Sequence, residues 1–310
     1  MLEHIPTKAD LTAAHQRILP YIHQTPVFTS SWFDAAAGKS CFFKSEHLQK
    51  TGAFKARGAM NAVLVNAAEG KSKGFLTHSS GNHGAALAWA AAQIGAKAYI
   101  VMPENAPKTK IAAVEQYGGI ITFCEATLAA RETTAAQVQE ATGAVFIHPY
   151  DNYDIIAGQA TATMELLNAQ PDLDLLFVPV GGGGLLSGAA LANHYFGKAK
   201  VIGCEPEKAD DAFQSFNAGK RIPVQNPNTI ADGLRTSLGE RNFEIIQQHV
   251  HTIITASEDE LKAAWRFTVS RLKQLVEPSA AAGLAVALKY GDERCGILLC
   301  GGNMDLDPFA

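Results

Sequence analysis

Apolar and polar positions along this chain switch repeatedly between two periods. Short apolar runs of strand length alternate with longer stretches of helical periodicity, the order that builds parallel sheets through helical crossovers. Residues 8–20 predict a first amphipathic helix, and Thr25-Pro26 starts an extended segment. The run Cys41–Leu48 (CFFKSEHL) has strand character. A turn at Lys50-Thr51-Gly52 then leads into a helix that carries Lys55 at its front and continues through Met60-Asn61-Ala62-Val63. Between Gly70 and Gly74 the composition turns to lysine, serine and glycine, which predicts a linker.

From Phe75 the repeat becomes regular. FLTHSS, AKAYIVMP, ITFCEA and AVFIHPY read as strands, with helices over 82–94, 108–117 and 128–141 between them. This block predicts a small α/β domain over 75–148, inserted in a larger domain formed by 1–74 and 149–310. A helix over 155–169 follows, then the buried-strand pattern DLLFVPV, the turn and helix GGGGLLSGAALANHYF, and the strand KVIGCEP. Residues 205–240 read as irregular, helices follow near 258–275 and 279–289, and CGILLCGGN closes the chain as a final strand and turn.

Composition removes several function classes. The net charge of −4 over 310 residues offers no basic field for nucleic acid. No apolar run approaches the roughly 18 residues a membrane helix needs, so no membrane partner is expected. The five cysteines are scattered without a CxxC pair, which argues against a disulfide framework or a zinc site. The N-terminus lacks the charged-then-apolar order of a signal peptide, and a cytoplasmic protein is expected.

Two stretches carry chemistry. The first is TGAFKARGA, Thr51–Ala59, centred on Lys55. A lone lysine is ordinarily a solvated surface charge, whereas a crowded one loses its proton readily and condenses with carbonyls. The second is PVGGGGLLSG, Pro179–Gly188, where a glycine turn opening a helix offers bare N–H groups and a helix N-terminus to a phosphate. A dinucleotide fingerprint fails here, because its last glycine position falls on Leu186 or Ser187. The P-loop pattern fails for want of its Gly-Lys-Ser/Thr. Together the two stretches ask for a cofactor bearing an aldehyde and a phosphate, which is pyridoxal phosphate. Between them, THSSGNHG displays Ser79, Ser80 and Asn82 where a strand meets a helix. That is either an ordinary helix cap or a nest for a substrate carboxylate.

The set TGAFKARGA, THSSGNHGAA, PVGGGGLLSG, EPEKADD, EPSAAAG and CGGN, in this order, resembles the fold-type-II pyridoxal-phosphate enzymes. Within them it is similar to the serine racemase and serine/threonine dehydratase group, which includes threo-3-hydroxyaspartate ammonia-lyases. The resemblance implies a tryptophan-synthase-β-like α/β fold: two open, twisted, mostly parallel sheets with the cofactor in the cleft between domains. It implies Lys55 as covalent anchor of the cofactor and then general base. Phe54 would pack on the pyridine ring, Asn82 would meet its 3-oxygen, and Gly181, Gly182, Gly183 and Gly184 with Leu185 would hold the phosphate. Glu277 would support the ring, and Cys300 stands where most relatives have serine or threonine facing the pyridine nitrogen. A neutral thiol there makes the ring a weaker electron sink, which favours expulsion of a β-substituent over a long-lived carbanion.

The same resemblance gives Ser79, Ser80 and Asn82 to the substrate, with Ser80 opposite the lysine and able to reprotonate the α-carbon. His78, Arg131 and Ser237 would face the far end of the substrate. A cation there is surplus for serine or threonine and suits the β-carboxylate of 3-hydroxyaspartate. Glu205 and Asp211, with the carbonyl of Ala209, match a structural divalent-cation site, and oxygen ligands favour Mg²⁺ or Ca²⁺. His83 is assigned to structure. The expected activity is β-elimination of water from small β-hydroxy amino acids, giving a 2-oxo acid and ammonia, in a homodimer. Serine racemisation is the alternative. A β-replacement synthase fits THSSGNHG and the acidic motif poorly, and a non-catalytic carrier fits an intact Lys55 and Ser80 poorly.

Overall fold

The structure, a computed structural model, describes residues 1–79 and 81–305. Among the described residues, ten strands form two sheets. In chain order they are β1 (Val27–Thr29), β2 (Cys41–Lys44), β3 (Phe75–His78), β4 (Ala98–Pro103), β5 (Ile120–Cys124), β6 (Val145–Phe146), β7 (Leu175–Pro179), β8 (Lys200–Pro206), β9 (Thr252–Ala256) and β10 (Cys295–Leu298). The six-stranded sheet runs β1-β2-β10-β7-β8-β9, and the four-stranded sheet runs β5-β4-β3-β6. Only the β1–β2 pair is antiparallel; the others are parallel, with registers such as Cys295 opposite Cys41 and Phe75 opposite Ala98. Every residue of β3, β7 and β10 is buried, as expected of strands covered by helices on both faces.

The helix Tyr153–Ala169 organises the large sheet's helical layer. A Cβ placed on its Gly158 would sit 2.6 Å from the Cα of Gly58, in the helix Lys55–Val65. On its other side a Cβ on Gly188, in the helix Gly184–Phe196, would sit 2.7 Å from the Ala160 nitrogen. Both contacts bring backbones together at a distance that only glycine permits. Thus the helix begun by Lys55 and the helix begun by the glycine run lie against one common helix, which fixes their N-termini relative to each other.

A buried ion network locks the same junction. Arg57, fully buried, donates from Nε to Glu46 Oε2 at 2.7 Å, from Nη1 to Glu165 Oε1 at 2.7 Å and to Thr161 Oγ1 at 3.1 Å. Its Nη2 donates to Glu46 Oε1 and Glu165 Oε2, each at 2.8 Å. Lys44 Nζ joins at 2.6 Å from Glu165 and 2.7 Å from the Thr25 carbonyl. Burial alone would raise the Glu165 carboxyl. Hydrogen bonds from His15 and Arg57, and the charges of Arg57 and Lys44, outweigh it and hold that carboxyl well below the usual carboxylate range.

Four local expectations are corrected. Residues 67–73 form a helix (Ala67–Lys73) in place of a linker; a Cβ on Gly70 would overlap the Phe75 ring at 1.9 Å, so this glycine serves close packing. The strand predicted over Cys41–Leu48 ends at Lys44 and gives way to a 3₁₀ turn, Glu46–Leu48, that aims Glu46 at Arg57. The stretch 205–240 holds the helix Asp211–Ala218, capped by Glu205, whose Oε1 and Oε2 accept from the Ala212 and Phe213 amides at 2.9 and 2.7 Å. The helix starting at Glu258 ends at Phe267 and continues as a π-turn to Leu272. Among the described residues, no helix is long and apolar enough to cross a membrane.

Replacing Arg57 by methionine leaves the buried Glu46 carboxylate without a cation and Glu165 with Lys44 alone, and should cost on the order of 3–5 kcal/mol, read as a fall in the urea midpoint. Replacing the half-exposed Lys73, paired with Glu69 at 2.8 Å, should cost less than about 1 kcal/mol by the same measurement.

Candidate active site

The backbone around Lys55 is pinned before its side chain is considered. Ala53 bridges Gly301, and the Phe54 amide donates to the Cys300 carbonyl at 3.0 Å, so the turn into the helix is tied to the segment leaving β10. Lys55 Nζ donates to the Pro149 carbonyl at 2.9 Å and lies 5.1 and 6.0 Å from the ring centroids of Phe54 and Tyr150. Burial pulls its pKa down to about 8, against the opposing charges of Cys300 and Glu277. A lysine in this state is neutral for about a tenth of its time at pH 7, far more than a solvated lysine.

The glycine turn faces this amine across one cavity. Gly183 caps the helix Gly184–Phe196 with φ of 95°, a left-handed conformation that disfavours side chains. The turn is also walled in: a Cβ would meet Leu234 Cα at 2.9 Å from Gly181, the Tyr150 ring at 2.5 Å from Gly182, and Leu238 Cδ1 at 2.6 Å from Gly183. The first N–H groups of the helix have no intrahelical partner and point toward this cradle. Gly181 to Gly184 and Leu185 all line the cavity, which measures about 420 Å³.

Asn82 opens the helix Asn82–Gln93 on a third side. Its Nδ2 donates to both Glu277 oxygens at 3.1 and 3.0 Å, and its Oδ1 accepts from Asn303 Nδ2 at 2.9 Å. Asn303 also donates to the Thr51 carbonyl at 2.7 Å, so the amide of Asn82 is held from both ends. Burial raises the Glu277 carboxyl to about 7 although the Asn82 bond opposes it. Burial, then the Glu277 charge, drives the Cys300 thiol well up, so Cys300 is neutral.

His78, Ser79, Arg131 and Ser237 also line the cavity. His78 packs on Phe146 and His148 at centroid distances of 5.5 and 5.7 Å, and burial followed by the Arg131 charge lowers its pKa, keeping it neutral. Ser79 Oγ accepts from the Gly81 amide at 3.2 Å, and Ser237 Oγ from the Val224 amide at 3.0 Å. Ser80 lies outside the described residues. Glu205, Ala209 and Asp211 sit apart. Ala209 and Asp211 line a second cavity of about 220 Å³ that shares Val224 with the first. Asp211 Oδ2 accepts from the Leu238 amide at 2.8 Å, while its buried Oδ1 has no partner among the described residues. Burial and then the Asp211 charge push Glu205 well up, and burial pushes Asp211 up to about 7. A buried unpartnered carboxylate oxygen beside a second carboxyl suits a hard cation, although among the described residues no group of three acidic, histidine or cysteine side chains gathers there.

Several lining residues escaped sequence reasoning. Tyr150 reaches the glycine turn from the far end of the small sheet. Lys110 pairs with Asp232 across the cavity, joining the small sheet's helix Lys108–Gln116 to the 3₁₀ turn Asp232–Leu234. His83 also lines the cavity.

Known proteins place this arrangement. Residues 18–301 match the family described as pyridoxal-phosphate dependent enzyme. The chain is 46% identical to the serine racemase of Dictyostelium discoideum, covering 98% of this chain and 97% of that protein. It is 44% identical to the L-threo-3-hydroxyaspartate ammonia-lyase of Saccharomyces cerevisiae, covering 99% and 96%. The solved structure of maize serine racemase superposes with a TM-score of 0.95 at 43% identity, covering 98% of this chain and 95% of that one. The chain therefore belongs to the pyridoxal-phosphate-dependent enzymes. The cavity suits that cofactor on its own evidence, with a walled glycine cradle for a phosphate and a low-pKa amine for an aldehyde.

Because the pKa of Lys55 is lowered, its amine is protonated below about pH 8 and neutral above it. In cofactor-free protein, acylation of Lys55 followed by mass spectrometry should reach half its maximal rate near pH 8, against about 10.4 for a solvated lysine.

Proposed function

We propose, from this membership, that the protein is an ammonia-lyase acting by β-elimination on small β-hydroxy amino acids, with serine racemisation as a second activity of the same site. The observation that carries the reading is the Lys55 amine, held near neutrality at about pKa 8 within reach of a walled glycine cradle. Lys55 would anchor the cofactor, and as a free amine it is the base that removes the α-proton. Bound pyridoxal phosphate supplies the electron sink for the pair left on Cα. Gly181–Gly184 and Leu185 would hold its phosphate, Phe54 would cover its ring, Asn82 with Glu277 behind it would meet the 3-oxygen, and Cys300 would face the ring nitrogen. Ser79 and Ser80 take the substrate carboxylate, and Ser80 returns a proton from the face opposite Lys55 when racemisation occurs.

His78, Arg131 and Ser237 select the substrate's far end. Arg131 is a cation lining the cavity, and its side chain's one hydrogen bond among the described residues is a long one, 3.4 Å from Nε to the Thr127 carbonyl. Its fork is thus available to a β-carboxylate, which favours L-threo-3-hydroxyaspartate over L-serine or L-threonine. The 46% identity to a serine racemase supports the second reading, racemisation as the main role.

Glu205, Asp211 and the Ala209 carbonyl would hold Mg²⁺ or Ca²⁺ in a structural role. Five free, buried thiols suit a reducing, cytoplasmic setting. A homodimer is supported by Leu48 and Leu275, 51% and 48% exposed, on segments joined by the His47–Gln274 hydrogen bond at 2.8 Å.

The test is 2-oxo acid production from L-serine, D-serine, L-threonine and L-threo-3-hydroxyaspartate, with chiral analysis of the remaining amino acid. Hydroxyaspartate should give the highest kcat/KM. Arg131→Gln should lower the hydroxyaspartate-to-serine ratio of kcat/KM by roughly 10–100-fold, the worth of a charged hydrogen bond. D-serine appearing faster than pyruvate would make racemisation the main role, and no oxo acid from any substrate would end the elimination reading.

Mg²⁺ or Ca²⁺ should raise the thermal midpoint of the purified protein and a chelator should reverse the rise. Asp211→Asn, which keeps an acceptor for the Leu238 amide, should abolish the response.

A further inference from the structure

Tyr150 has no role in the chemistry above, yet its ring is among the most firmly held groups in the cavity. It follows Pro149, whose carbonyl accepts from Lys55 Nζ at 2.9 Å, so the two residues reach the reacting centre side by side. The ring lies flat against the glycine turn, 2.5 Å from where a Cβ on Gly182 would stand. His148 meets it edge-on, 4.6 Å between centroids at 90°. The Nδ1 of that histidine accepts the amides of Tyr150 and Asp151 at 3.3 and 2.8 Å, so Nδ1 carries no proton and the imidazole is neutral. The Tyr150 carbonyl in turn accepts from Asn242 Nδ2 at 3.1 Å. A ring clamped by backbone, turn and imidazole has little freedom to move its hydroxyl elsewhere.

That hydroxyl has no hydrogen-bond partner among the described residues, although the residue lines the cavity. Of the other polar groups there, Lys110 pairs with Asp232 and Glu277 is bonded to Asn82, while Ser79 and Ser237 accept backbone amides and keep only an alcohol O–H, a far weaker acid than a phenol. An arginine cannot serve as a proton donor at ordinary pH. Elimination of a β-hydroxyl needs a base at Cα and an acid at the departing oxygen, because hydroxide is a poor leaving group.

We propose that Tyr150 is the acid that protonates the departing β-oxygen, an assignment that rests on the elimination reading. The Cα–H bond breaks and its proton goes to the Lys55 amine. The Cβ–O bond breaks with its electron pair on oxygen, the phenolic proton moves to that oxygen, and water leaves. The phenolate then regains a proton from solvent. Burial raises the phenol to about 12, so it is fully protonated near neutrality. It is still a stronger acid than water, whose pKa is about 16, so transfer to departing hydroxide runs downhill.

Tyr150→Phe keeps the ring on the turn and against His148 while removing only the hydroxyl. It should be compared with wild type on L-serine and on 3-chloro-L-alanine, whose chloride leaves without a proton. The serine-to-chloroalanine ratio of kcat should fall about 100-fold or more, within the usual range for general acid catalysis. The affinity of cofactor-free protein for pyridoxal phosphate, read by fluorescence quenching, should stay within about twofold. Equal losses on both substrates would reduce the tyrosine to a packing role, and an unchanged kcat on both would give the proton to another acid such as the cofactor phosphate. A large loss of cofactor affinity would make the hydroxyl a phosphate ligand and overturn the assignment. If wild type releases no oxo acid from either compound, the underlying elimination reading falls with it, a result separable from all of these.

Discussion

Everything at the cleft depends on one buried guanidinium. Arg57 sits two residues after Lys55 and forms paired hydrogen bonds with both Glu46 and Glu165, tying the turn after β2 and the helix Tyr153–Ala169 to the first turn of the Lys55 helix. A buried ion pair returns little net stability once its desolvation is counted, so stability is a poor explanation for it. Position is a better one. A planar fork with two carboxylate partners admits one orientation of the helix about its own axis, and a lysine with its single point charge would not impose that. With the helix fixed in rotation, Lys55 can leave only toward the cavity.

Burial then turns that geometry into reactivity. Three helices begin at the cavity, at Lys55, Asn82 and Gly184, and each carries its positive dipole end there. The field favours an anion between them and disfavours a second positive charge, and in the same place Lys55 is removed from water. Both effects work in the same direction, toward a neutral amine beside a phosphate-sized cradle. Strands end here for a related reason. His78, Pro179 and Leu298 close β3, β7 and β10 at their carboxyl ends, where open α/β sheets leave a crevice between loops.

Residues whose chemistry is carried by their neighbours in sequence were legible; residues defined by distant contacts were not. The strand-and-helix alternation, Lys55 in its small-residue setting and the four glycines each have a local signature, and the cavity holds them together. Tyr150 has none, because its importance comes from lying on Gly182, 32 positions away by sequence number, and against His148. The Lys110–Asp232 pair links two elements that alternate in the chain with many others, and no spacing rule selects it. The helix over residues 67–73 was hidden for a different reason. Its Gly70 and lysines imitate a linker by composition, while the actual demand is for a surface flat enough to accept the Phe75 ring.

The charge inventory of the cavity bears on what the enzyme is built to accept. Lys110 is neutralised by Asp232, and Arg235 is held by the Thr229 carbonyl through Nε at 3.0 Å. Glu277, near its midpoint at about 7, shares its oxygens with Asn82. Arg131 alone of these arginines and lysines faces the cavity with only a marginal bond to its own helix. A half-buried cation held by one marginal bond recovers little of its desolvation within the protein. A substrate carrying only a hydroxyl or a methyl at its far end leaves that cost in place, whereas a second carboxylate removes it on binding. The proposed preference for an acidic β-hydroxy amino acid therefore rests on a residue that takes no part in breaking bonds.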